Sequence, residues 1–164
     1  MPFEIVSHTP VWVWGLLAYL VWMGWKARRP ARVRLGRLAL VPGLLAVMGV
    51  HELVRLFQPS VLHFAFWGMG LAIGIPAGMA LIRRLRISVD ADGMLCRPAD
   101  HTALPLILAT FALRYAFAAA SVIWTGITAN PWFAAADLVS GGFFVGIFAG
   151  KFLQYARAYA QQRE

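Results

Sequence analysis

Arg114, Asp137 and Glu52 are the residues best placed to do chemistry in this chain, because each is a charge set within a stretch that is otherwise apolar. Arg114 lies about halfway along its run, where an unpaired charge costs about 3 kcal/mol on insertion scales, so it needs a counter-charge. Glu52, in the second apolar run, and Asp137, about one and a half turns into the last, are the candidates. Glu52 and Arg55 stand one helical turn apart and can pair with each other, with His51 one turn from Arg55. Such a pair leaves Asp137 to Arg114. Tyr115, His63 and His8 fall at similar depth, so these residues can form a buried polar network that holds an ion, a proton or an anionic ligand. Equally, they can be satisfied pairs that fix helix register.

Other chemistries find little support. The single cysteine, Cys96, excludes an intrachain disulfide and any Cys-x-x-Cys motif. No His-Glu-x-x-His, Gly-x-Ser-x-Gly or phosphate loop occurs, and Ser88, Ser121 and Ser140 have no histidine at matching depth. His51 and His63 suggest bis-histidine ligation of haem b, but they fall at different depths, so no cofactor is expected. Asp90, Asp92 and Gly93 lack the remaining ligand positions of a calcium loop and read as a turn; no metal site is expected. Lys151 lies near the end of the last run, from which it can snorkel to lipid headgroups. Catalysis is not expected.

These residues must be positioned by membrane helices. Hydrophobic residues make up 60% of the 164, against 13% charged, which is far too apolar for a soluble domain of this length. Five apolar runs, about 10–25, 38–57, 61–82, 104–124 and 132–155, approach the roughly 20 residues a bilayer requires. The expected fold is all-α, a single polytopic domain over residues 1–164 built as a bundle of five transmembrane helices. Two glycine series, Gly70, Gly74, Gly78 and Gly142, Gly146, Gly150, give the third and fifth helices smooth faces suited to close packing. Pro42 and Pro76 interrupt the second and third runs, where helices can kink. Within about 86–102, Ile87, Val89, Met94 and Cys96 alternate with polar residues around Asp92-Gly93, which predicts a short cytoplasmic β-hairpin between the third and fourth helices.

The net charge of +8 is concentrated in short loops, so it orients spans and meets anionic headgroups; nucleic acid is not implied. Lys26, Arg28, Arg29, Arg32, Arg34 and Arg37 fill the first loop, Arg83, Arg84, Arg86 and Arg97 the third, and Arg157 and Arg163 the tail. All three belong in the cytoplasm by the positive-inside rule, which leaves the N-terminus outside and the C-terminus inside a bacterial inner membrane. Trp12, Trp14, Trp22, Trp25, Trp124 and Trp132 stand near run ends, as interfacial anchors do.

The opening His8-Thr9-Pro10 with Trp12-Val13-Trp14, the basic first loop, the Asp90 to Pro98 hairpin leading to Leu104-Pro105-Leu106, Arg114-Tyr115 and the closing Gly150-Lys151 form a pattern across nearly the whole chain. It resembles a family of small five-span bacterial inner-membrane proteins defined as a domain of unknown function. More loosely, through Arg114-Tyr115, it is similar to the CcdC-like membrane proteins associated with cytochrome c biogenesis. The resemblance implies location and topology and brings no catalytic residue. The expected role is an accessory, assembly or interaction subunit that docks another membrane protein or a copy of itself. The alternative is a carrier or channel for a small ion or anionic solute around Arg114; a membrane haem protein or enzyme is a weaker third.

Overall fold

The computed structural model describes residues 11–56, 60–83, 85, 87–90, 94–124 and 126–162. In chain order the elements are α1 (Val11–Ala27), β1 (Ala31–Val33), α2 (Leu35–Leu56), α3 (Val61–Ile82), β2 (Ser88–Val89), β3 (Leu95–Arg97), α4 (Ala103–Ile123), a 3₁₀ turn (Ile127–Ala129) and α5 (Pro131–Gln161). Local chemistry sets the helix starts. The Ser60 side chain accepts from Leu62 N at the head of α3, and Asn130 accepts from Trp132 N at 2.9 Å, with Pro131 in the first turn of α5. Between α4 and α5 the chain reverses through Gly126, whose φ of +89° is accessible to glycine without strain.

Among the described residues three helices are long and apolar enough to cross a membrane: α3, α4 and α5. Of the other two predicted spans, α1 covers 17 described residues, and α2 is a helix of 22 residues whose apolar part is described over Leu35–His51. α2 and α3 run on through Pro42 and Pro76.

The tightest packing is between α3 and α5. A Cβ placed on Gly70, Gly74 or Gly78 would strike the backbone of Val139, Phe143 or Ile147, and one on Gly142, Gly146 or Gly150 would strike that of Trp67, Leu71 or Ile75. Each glycine series therefore lies against the main chain of the other helix, which is as near as two helices can approach. α1 crosses α4 where Gly24 meets Leu104.

The β-structure has three strands, not two. β2 and β3 pair antiparallel with Ser88 opposite Cys96, and β1, drawn from the basic first loop, pairs along the other side of β3 with Arg32 opposite Cys96. The predicted hairpin is thus the larger part of a sheet of order β1-β3-β2; its turn, 91–93, lies outside the described residues. Leu95 of β3 is fully buried against Ile82 and Tyr155, with Leu35, Leu38, Leu85, Ile87 and Tyr159 around them. Gln162 clamps the sheet edge, its amide accepting from Val89 N at 2.6 Å and donating to Ile87 O at 2.8 Å. The sheet therefore closes the basic end of the bundle, tying the loops after α1 and α3 to the end of α5.

Candidate functional site

Two polar clusters stand among the helices. The first involves residues singled out from the sequence. Arg114 Nη1 donates to Asp137 Oδ1 at 3.1 Å, linking α4 to α5. Glycine shapes this seat, since a Cβ on Gly141 would lie 2.6 Å from Arg114 Nη2. On the same face of α4, the hydroxyls of Thr110 and Ser121 donate to carbonyls of their own helix, at Leu106 and Ala118. Tyr115 is half-buried and stacks on Phe111 with ring centroids 6.3 Å apart. His51 is exposed on α2, and His63 is half-buried in the first turn of α3. The side chains of Glu52 and Arg55, and all of His8, lie outside the described residues. The structure therefore joins Arg114 to Asp137 and leaves His51 on the surface.

The second cluster was not anticipated from the sequence. Lys151 does not extend to the bundle surface: its side chain is 7% exposed and its ammonium donates to Asp100 Oδ2 at 2.6 Å and to Thr102 Oγ1 at 2.8 Å. The other carboxylate oxygen, Oδ1, accepts from Thr102 N at 3.0 Å and from Thr102 Oγ1 at 2.7 Å, forming an Asx-type turn at the entry of α4. Asp100 N donates to Ala27 O at 2.9 Å, satisfying a carbonyl that the end of α1 leaves without a helical partner. One short segment thus fastens the end of α1 and the start of α4 to the C-terminal half of α5. Burial opposes ionisation of Asp100, but the Lys151 ammonium and the two Thr102 donors outweigh it and hold the carboxyl below its ordinary range. Hydrogen-bonded from both sides, Asp100 and Lys151 act as a clasp between the entry of α4 and α5.

Beside the clasp is a partly open cavity of about 410 Å³, lined by α1, α2, α4, α5 and the sheet. Its apolar walls include Trp22, Met23, Leu38, Val41, Ile107 and Phe148. Its polar lining includes Lys26, Arg37, Arg97, Asp100, Lys151 and Tyr155. Half of this site has a sequence signal: Asp100-His101-Thr102, just ahead of an apolar run, is a helix-entry pattern, but nothing local links it to Lys151.

No protein-family model matches the chain, and no solved structure is significantly similar to it. It is 26% identical over 92 residues to an uncharacterised protein of Pasteurella multocida (strain Pm70), a match covering 52% of this chain and 71% of that protein. The similarity is distant and carries neither an activity nor a family name to this chain.

Proposed function

We propose that this protein is a small multi-pass subunit of the bacterial inner membrane that works by docking a membrane partner, another protein or a second copy of itself, without catalysing a reaction. The observation that carries this reading is the exposure of α4. Only 6% of its apolar stretch is buried, against 50% of that of α5. Its exposed side presents Ala109, Ala112 and Ala116 at one-turn spacing, a surface on which a second helix can approach closely. In this reading α1 and α2 complete five spans, the basic loops and the sheet face the cytoplasm, and the N-terminus lies outside.

The test is a photoreactive benzoylphenylalanine placed at 112 or 116 in native membranes, with Ile73, exposed on α3, as the control position. Docking through α4 yields a protein adduct of discrete mass from 112 and 116 that is absent from 73. Adducts to lipid alone, or equal protein adducts from all three positions, contradict it.

A second reading is favoured by Arg114, whose side chain keeps 32% of its surface exposed although it sits midway along a membrane-length helix. A charge so placed is tolerated against a partner helix or along a wet path for a small ion. Liposome flux that disappears in Arg114→Met, with the variant still folded, supports the path; equal leakage from protein-free and protein-containing liposomes eliminates it.

A further inference from the structure

The cavity beside the clasp has a lining of two chemistries. Trp22, Leu38, Val41 and Phe148 supply apolar lining, and Lys26, Arg37, Arg97 and Lys151 supply cations with one carboxylate, Asp100, which Lys151 pairs directly. Asp100 is already engaged by Lys151 at 2.6 Å and by both Thr102 donors, so it does not neutralise the other three cations. Two polar atoms at this site, Arg97 Nε and Tyr155 Oη, are buried without a hydrogen-bond partner among the described residues, and Tyr155 is 3% exposed. Buried donors are seldom left unsatisfied, and both groups are donors suited to an anionic oxygen. A guanidinium matches phosphate geometry particularly well. At about 410 Å³ the volume falls within the roughly 300–1,000 Å³ of small-molecule sites. Cationic and apolar lining occur together where the helices leave their apolar stretches, which is where a lipid carries its charge next to its chains.

We propose that this cavity binds an anionic phospholipid of the surrounding bilayer, with the phosphate against Arg97 and Tyr155 and the adjoining chain along Trp22, Leu38 and Phe148. The site is separate from the exposed face of α4, so lipid binding and docking stand or fall independently.

The experiment is native mass spectrometry of the full-length protein, delipidated in detergent and titrated with phosphatidylglycerol, phosphatidylcholine or chain-free glycerol phosphate. Phosphatidylglycerol is retained at about tenfold lower concentration than phosphatidylcholine, and glycerol phosphate is not retained. Arg97→Gln weakens phosphatidylglycerol retention about tenfold and Tyr155→Phe about fivefold. Arg83→Gln, exposed at the same end of the bundle but outside the cavity lining, leaves it unchanged. Should Arg97→Gln fail to fold, Tyr155→Phe, which keeps the buried ring, and the three-ligand comparison still decide. Equal retention of the two lipids, glycerol phosphate binding as tightly as phosphatidylglycerol, or the same loss in the Arg83 and Tyr155 variants overturns the proposal.

Discussion

Lys151 can stay charged in a site where its side chain is 7% exposed because Asp100 and Thr102 take up its donors. Removing one partner leaves the other's charge buried and unmatched. Asp100→Asn is therefore expected to destabilise the detergent-solubilised protein by about 3–5 kcal/mol, read as a lowered melting temperature, whereas Asp100→Asn combined with Lys151→Met recovers most of the loss. Acid has the same target. The folded carboxyl ionises below its ordinary 3.8, so the unfolded chain binds the proton more readily. The clasp's contribution is complete above that value and disappears as the pH falls through the lower folded one. Melting temperature should decline below about pH 4 in the parent protein, with a shallower acid limb in Asp100→Asn. This pair was not legible in the sequence, where Lys151 and Thr102 are 49 positions apart and a lysine at the end of an apolar run fits snorkelling equally well. Arg114 was legible as a charge in need of a partner, because mid-run isolation is a local property; the choice of Asp137 depended on how α4 crosses α5.

Periodicity decides what can be read at the scale of elements. A glycine every fourth residue in an apolar run is visible in sequence, since it defines a helix face, but what that face meets is not. In the structure Gly78 lies against the backbone of Ile147, whereas a Cβ on Gly68, ten residues earlier on the same helix, would meet nothing within 4 Å. Gly78→Ala should accordingly destabilise by about 1–3 kcal/mol through forced separation of α3 and α5. Gly68→Ala should leave stability unchanged or raise it by up to about 1 kcal/mol. Thermal melting of the two variants side by side checks the contrast, and equal effects would mean that helix propensity, not close approach, governs both sites. β1 is a subtler case. Ala31-Arg32-Val33-Arg34-Leu35 alternates apolar and basic residues, and Ala31 to Val33 pair along the free edge of β3, but in a loop crowded with basic residues so short an alternation reads only as charge. The hairpin is legible from its alternating residues; the same signal in its third strand is easily passed over.

For the whole molecule, the glycine-faced α3–α5 pair forms the centre, the sheet and clasp close one end, and α4 stays at the periphery, held by the clasp at its entry, by Arg114–Asp137 and by the crossing at Gly24. Apolar run length predicts five spans, and among the described residues three helices have the length and hydropathy to cross a membrane. The peripheral placement of α4 is what gives the docking account its content. The most direct measurement is the mass of the particle obtained when the tagged protein is extracted with its native lipid into polymer nanodiscs, compared with that of Ala112→Trp, which puts a bulky ring on the exposed face of α4. The account predicts a complex of fixed stoichiometry larger than one copy of the chain, reduced to the single chain by Ala112→Trp while melting temperature is preserved. A parent protein that emerges as one copy alone, or a complex indifferent to the tryptophan, would contradict it.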